Sequence, residues 1–152
     1  SHNAFTFALM TILKKNHLAR DFANVKGFKF LEDLITGPCI KQNVSQAPQI
    51  AYNTIVIMWI LSYHEFAHKF FEDDDRELLF KCSKVLDFYS WEKIARILLM
   101  LFDNLKLNPL CQDQMTEMDA LSLIVKLQNR HWVDNDINKT LEKMYNYFDE
   151  NQ

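Results

Sequence analysis

The segment His64-Glu65-Phe66-Ala67-His68 has residue types and a spacing that could do chemistry. On an α-helix, histidines four residues apart share a face and can bind zinc together, with the intervening glutamate as general base. A catalytic zinc needs a third protein ligand, and Lys69-Phe-Phe71 follows where a G-x-x-H continuation would supply one. We therefore interpret His64 and His68 as helix-end residues. A zinc-dependent hydrolase is kept as the least favoured alternative.

The remaining chemistry-bearing groups do not form a site. The acidic run 72–75 lacks the alternating ligands and central glycine of a calcium-binding loop, so it predicts a solvated turn. Cys39, Cys82 and Cys111 are odd in number and lack C-x-x-C spacing, which indicates buried or idle thiols of a reducing compartment. The two glycines are isolated, so there is no phosphate-binding loop. The sequence predicts no catalytic residue, no metal and no cofactor, and it leaves protein-binding residues unassigned.

The composition points to a helical chain. The 152 residues are 49% hydrophobic and include only two glycines and three prolines, too few for the tight turns of a β-sandwich or barrel. The net charge of −3 argues against a nucleic-acid-binding surface. The longest apolar run, Ile55-Val-Ile-Met-Trp-Ile-Leu61, falls far short of the roughly 20 residues that span a membrane. Residues 1–4 show no signal-peptide pattern, and we expect an internal fragment.

Hydrophobic periodicity predicts a chain of helices without strands. In the first helix, the apolar stripe expected to face the core consists of Phe5, Ala8, Leu9, Ile12 and Leu13. Gly27 is expected to permit a sharp turn, and residues 40–48 are expected to form a loop. The predicted helices cover residues 5–15, 18–24, 28–36, 49–63, 66–71, 76–89, 91–107, 110–118, 120–129 and 137–148.

Two of these helices are related by an internal repeat. Residues 50–62 recur loosely as residues 93–105, an offset of about 43 that lies within the period of armadillo and HEAT repeats. Both helices are apolar nearly all round, so each must be covered on all sides, as the last helix of a stacked repeat is. The sequence therefore predicts an all-α, armadillo/HEAT-type right-handed α-α superhelix. We expect residues 1–152 to form a single helical-repeat domain of about three repeats, part of a longer array.

Tryptophans at helical positions raise one further possibility. Trp59, Trp91 and Trp132 are expected to lie in the core. Some armadillo domains hold extended peptides with a ladder of Trp and Asn on their inner helices, and Trp59 and Asn104 occupy suitable places for an incomplete ladder. A generic armadillo-repeat protein-binding adaptor is therefore the alternative function. A regular Trp/Asn ladder in adjoining repeats would favour it.

An ordered set of short motifs resembles the regulatory H subunit of the vacuolar-type (V-type) proton ATPase. The order and spacing agree from about residue 8 to residue 148, with Asp103 departing from a basic residue in that family. The similar segments are Arg20-x-Phe22-x-x-x-x-Gly27, Gln49-Ile-Ala-Tyr52, Trp59-Ile-Leu61-Ser62, Trp91-Glu-Lys-Ile-Ala-Arg-Ile-Leu98, Phe102-Asp-Asn-Leu105 and Asp134-Asn-Asp136-Ile137.

The resemblance implies a non-catalytic regulatory and bridging subunit. It implies the larger, N-terminal helical domain of that subunit, without the smaller C-terminal domain. The expected partners are other subunits of the pump, in the peripheral stalk and the catalytic sector, with no nucleic acid. The expected role is control of ATP hydrolysis coupled to proton transport. The expected location is cytoplasmic, on the cytosolic face of vacuolar or endosomal membranes, with membrane association only through the complex.

Overall fold

The computed structural model describes residues 2–37 and 46–151, and every regular element within these ranges is helical. The all-α class is confirmed. Short 3₁₀ turns at Glu65–Ala67 and Val85–Asp87 adjoin the fifth and sixth helices. The α-helices in the described ranges are α1 His2–Ile12, α2 Asn16–Asn24, α3 Gly27–Thr36, α4 Ala47–Ser62, α5 His68–Phe71, α6 Leu78–Lys84, α7 Glu92–Leu105, α8 Pro109–Glu117, α9 Ala120–Gln128 and α10 Asn135–Glu150.

Every predicted helix is found, although most ends are shifted; α1, for example, begins and ends three residues earlier than predicted. Two segments differ for clear physical reasons. The predicted helix over 76–89 begins only at Leu78, because Glu77 adopts a left-handed conformation, and it changes to a 3₁₀ turn at Val85. The predicted loop over 40–48 ends earlier than expected, since Ala47 and Pro48 belong to α4. Proline is well suited to a first helical turn, where its missing N–H is not needed. Residues 40–45 of that loop lie outside the described part of the chain.

The helices form three consecutive sets that stack on one another. Residues 16–62 contain α2, α3 and α4; residues 65–105 contain the first 3₁₀ turn with α5, then α6 and α7; residues 109–150 contain α8, α9 and α10. The last helices pack side by side, α4 against α7 and α7 against α10, while α1 packs against the other side of α4. Each set therefore contacts its neighbours, the arrangement that defines a helical-repeat stack.

A left-handed residue marks the same position in all three sets. Lys26, Glu77 and Asp119 have φ values of 64°, 50° and 57°, and each directly precedes the second helix of its set. They are the non-glycine residues with positive φ in the described ranges. Such a conformation is costly for a residue with a Cβ atom. The residue before the second helix thus has the same backbone conformation in all three sets.

Gly27 has a different role from the one expected. No described glycine has a positive φ, so the sharp turn is made by Lys26, and Gly27 is the first residue of α3. A Cβ atom at Gly27 would lie 2.3 Å from a ring carbon of Phe22 and 2.5 Å from the carbonyl oxygen of Phe22. Gly27 is therefore required by close packing of α2 on α3.

The core lies between the last helices of the sets. Twelve of the residues of α4 are buried, and this helix contacts α1, α3 and α7. Helix α7 contacts α4, α6 and α10, and its largest fully buried side chain is Phe102. The two helices that the sequence shows to be apolar nearly all round are thus the two that are enclosed on several sides.

The first helix buries a different face from the predicted one. Leu9 and Leu13 are buried as expected, but Phe5 is 51% exposed, and Ala8 and Ile12 are exposed as well. The prediction fails because α1 is covered chiefly by α4. A wide apolar stripe does not reveal which part of it a neighbouring helix will cover. In the last helix, α10, polar side chains such as Lys139 and Glu142 are exposed.

No helix in the described residues is both long enough and apolar enough to cross a bilayer.

Candidate functional site: the junctions between repeats

The two histidines of the H-E-x-x-H segment lie at a junction between repeats. His64 is in extended conformation just before the 3₁₀ turn, whereas His68 begins α5, so the segment is not one regular α-helix. The Nε2 atom of His64 lies 3.3 Å from the carbonyl oxygen of Leu13, and its Nδ1 atom lies 3.1 Å from Oδ1 of Asn16. His68 Nε2 donates to the carbonyl oxygen of Ser62 at 2.8 Å.

These contacts give the histidines a structural role. Carbonyl groups at the end of a helix lack intrahelical donors and need partners from elsewhere. Ser62 is the last residue of α4 and Leu13 follows α1, so each imidazole binds near a helix end. Within residues 2–37 and 46–151, no group of three or more His, Cys, Asp or Glu side chains is placed to hold a metal ion. The absence of zinc stays a prediction.

Polar side chains join neighbouring repeats at separations of about one repeat length. Tyr147 donates to the carbonyl oxygen of Lys106, and Gln114 Nε2 donates to the carbonyl oxygen of Phe71 at 2.8 Å. These pairs are 41 and 43 residues apart in sequence. Further junction bonds join Asn53 to Thr6, Lys93 to Gln49, Asn104 to Ser62 and Asn108 to Glu72. The sequence analysis did not predict these bonds, because apolar periodicity says nothing about polar pairs. A comparison of polar residues about one repeat length apart could have suggested them.

A partly buried carboxylate connects the second helices of the first two repeats. Glu32 on α3 accepts from Arg76 at 3.1 Å and from Lys81 on α6 at 2.8 Å. The side chains of all three are mostly shielded from water. Loss of one partner in this setting would cost more than loss of a partner in a surface pair, because it would leave an uncompensated charge that is shielded from water.

The junction between the second and third repeats is also held by charge. Arg96 on α7 donates through Nε to Oδ2 of Asp134 at 2.9 Å and contacts the same oxygen through Nη2. The hydrogen bond from Arg96 holds the pKa of the Asp134 carboxyl below its usual value. Asp134 also accepts from the backbone N–H of Asp136 and thereby caps α10. Beside it, Glu92 accepts from the backbone N–H of Val133 at 2.6 Å.

The three tryptophans have different environments. Trp132 is buried, and its Nε1 donates to the carbonyl oxygen of Leu127 at 2.7 Å. Trp59 is partly buried against the core and meets Tyr63 edge to face. Trp91 is 42% exposed, so the expectation of a core position is wrong there. The ammonium group of Lys93 lies 4.9 Å from the centre of its ring.

The expected Trp/Asn ladder is not free to bind a peptide. The amide nitrogen of Asn104 donates to Oγ of Ser62 at 2.9 Å, across the junction of α7 with α4. An armadillo-type ladder uses that amide to bind the peptide backbone, so here it would first have to leave its partner. Trp59 packs against the core as well. The geometry therefore gives little support to groove-type peptide binding at these two residues.

The cysteines and the acidic turn fulfil the expectations where the structure describes them. Cys82 and Cys111 are buried and are not joined in a disulfide. Burial, with a smaller contribution from Glu72, raises the pKa of the Cys111 thiol to about 12, so it stays protonated and unreactive. Cys39 lies outside the described residues. Residues 73–75 of the acidic run are exposed, as predicted, whereas Glu72 is half-buried and accepts a hydrogen bond from Asn108.

Three stacked helix sets, joined by bonds one repeat apart, define a helical-repeat scaffold. A family model for the H subunit of the V-ATPase matches residues 3–147, and the chain belongs to this family, in its N-terminal domain. The chain is 23% identical over 136 residues to a protein of Oryza sativa subsp. japonica that is named as a probable H subunit of the V-type proton ATPase. The match covers 90% of this chain and 29% of that protein. No solved structure matches significantly.

Proposed function

We propose that the chain is a regulatory and bridging part of a V-type proton ATPase, binding the peripheral stalk and the catalytic sector. Membership of the V-ATPase H-subunit family over residues 3–147 is the observation that carries the proposal. The chain spans 29% of the length of its rice relative, so the activity of the whole protein is part of the proposal. We further propose that residues 1–152 form one domain of a longer helical array.

The role is non-catalytic and uses no cofactor. The imidazoles of His64 and His68 are engaged with carbonyl oxygens near helix ends, which supports a structural use of the H-E-x-x-H segment. ATP is hydrolysed elsewhere in the pump, and this chain controls that hydrolysis and its coupling to proton transport. It acts on the cytosolic face of vacuolar or endosomal membranes, reaches them only through the complex, and binds no nucleic acid.

The chain can control ATP hydrolysis if it binds one arrangement of the pump more tightly than another. A scaffold that contacts both a stalk and a motor shifts the equilibrium between two arrangements only by the difference in its affinity for them. A stack of repeats is suited to this task because it presents a long surface whose parts are held at fixed spacing. The junction bonds around Glu32 and Arg96 would preserve that spacing under load.

Binding to the stalk tests the proposal. Calorimetry would measure association of the purified chain with reconstituted peripheral-stalk subunits at two salt concentrations. A dissociation constant of about 10 μM or tighter supports the proposal, and weakening at higher salt would show that charges at the rim contribute. Undetectable binding by a full-length version of the same protein would refute it, and the armadillo adaptor would then become the preferred function.

A further inference from the structure

A groove runs between the second and third repeats, away from the packed row α1, α4, α7 and α10. Two adjoining depressions of about 270 and 280 Å³ form it, and both are lined by Phe80 of α6 and by Met118 after α8. Phe80 is 40% exposed, whereas Met118 is half-buried against the core. The floor shared by the two depressions is therefore apolar and accessible.

One end of the groove is acidic. The first depression is also lined by Asp74, Glu77 and Glu117, and none of these side chains forms an ion pair or hydrogen bond with the described residues. Gln114 lines the same depression, and one N–H of its amide donates to the carbonyl oxygen of Phe71, while the amide oxygen can still accept. The charged side chains of this depression are therefore all carboxylates.

The other end of the groove differs. There Asp87 is paired with Lys84 at 3.6 Å and with Lys126 at 3.5 Å, so its charge is compensated. The ammonium group of Lys84 also lies 4.8 Å from the centre of the Phe80 ring. The exposed ring of Phe80 is thus already in contact with one cation of the protein itself, as the negative face of an aromatic ring favours.

From these features we infer that the groove between α6 and α8–α9 docks a basic, amphipathic helical segment of a partner protein. A bulky apolar side chain of that segment lies on Phe80 and Met118. Lysine or arginine side chains next to it pair with Asp74, Glu77 and Glu117. The unpaired carboxylates select a cationic partner and repel an acidic one, while burial of the apolar anchor supplies affinity. The inference does not depend on which complex contains the chain.

Synthetic helical peptides test the docking site. The probe is a fluorescein-labelled, alanine-based helix with Leu and Phe four residues apart, surrounded by Lys and Arg. The comparison peptide has Glu at every basic position. Fluorescence anisotropy should show saturable binding of the basic peptide to the full chain, at least about tenfold tighter than the acidic peptide. Failure of the basic peptide to saturate at millimolar protein would overturn the inference.

Two double variants distinguish the effect of charge in the groove from the effect of the protein's net charge on peptide binding. Glu77→Lys with Glu117→Lys should weaken binding of the basic peptide at least about tenfold. Lysine already occupies the equivalent left-handed position at Lys26, so the first change fits the backbone. The control is Glu142→Lys with Glu150→Lys on α10, which alters the net charge equally at exposed residues that do not line the groove. Equal weakening by both pairs would contradict a specific site.

The apolar floor is tested separately. Phe80→Ala should weaken the basic peptide at least about fivefold if the anchor lies on the ring. Trp91→Ala removes another exposed aromatic ring outside the groove and should leave binding unchanged. A normal far-ultraviolet circular dichroism spectrum shows that each variant folds. Unchanged binding by folded Phe80→Ala would reject the assigned anchor site.

Discussion

His64 reaches back across one repeat, where its Nε2 atom lies 3.3 Å from the carbonyl oxygen of Leu13. His64→Ala should therefore destabilise the fold by about 1–2 kcal/mol, since it leaves a helix-end carbonyl without its partner. The matched control is Glu65→Gln, at an exposed side chain, which should change the free energy of unfolding little. Urea denaturation measures both. One equivalent of zinc that survives a mild chelator and is lost in His64→Ala would contradict the structural role.

Glycine at a left-handed position should stabilise the chain. Glu77→Gly removes a Cβ atom from a residue with φ of 50°, where the steric cost is about 1–2 kcal/mol. The greater flexibility of glycine in the unfolded chain offsets about 0.5–1 kcal/mol of this gain. We expect a net increase of about 0.5–1 kcal/mol in denaturant unfolding. Glu77→Ala removes the same charge but retains the Cβ atom, so an equal gain in that control would exclude the backbone explanation.

Adding one methyl group at Gly27 should have the opposite effect. Alanine normally favours a helix over glycine, but here its Cβ atom would clash with the ring and the carbonyl oxygen of Phe22. We expect Gly27→Ala to cost about 1–3 kcal/mol of stability. The cost should be smaller in a Phe22→Ala background, because the ring is then absent although the carbonyl remains. Additive effects of the two changes in thermal or urea unfolding would contradict this contact.

The Arg96–Asp134 pair should make stability depend on pH in the acidic range. The folded-state pKa of Asp134 lies below its unfolded value, so the carboxylate stabilises the fold above an unfolded pKa of about 3.9. This stabilisation is lost as pH falls through the folded pKa. Asp134→Asn can still cap α10 but removes the charge. The difference in unfolding free energy between the native chain and this variant should shrink from pH 6 to pH 3, and a constant difference would argue against the pair.

The helices could be predicted from sequence because periodicity is a local property. Residues such as Leu9, Leu13 and Leu31 follow the apolar spacing and are buried. The exposed face of α1 could not be predicted, because a wide apolar stripe does not reveal which neighbour covers it. The left-handed residues were also missed, since Lys26 and Glu77 carry no sequence signal for positive φ.

The candidate surfaces were harder to predict for a related reason. Phe80 and Met118 lie on different repeats and share a groove only after the repeats have stacked. The same is true of Arg96 and Asp134, whose charges look like ordinary surface residues in the sequence. Had the period been applied to polar positions as well as apolar ones, partners such as Gln49 and Lys93 could have been suggested from sequence.

Contacts confined to neighbouring repeats also determine how the chain responds to pulling. A force applied to the two ends acts on the junctions in series. Each junction carries the same force, so the weakest one yields first. The tight packing of α4 on α7 contrasts with the lighter packing of α7 on α10, which Arg96 and Asp134 reinforce. We therefore expect the junction between the second and third repeats to open first under tension, at a force that acid or salt lowers by weakening the Arg96–Asp134 pair.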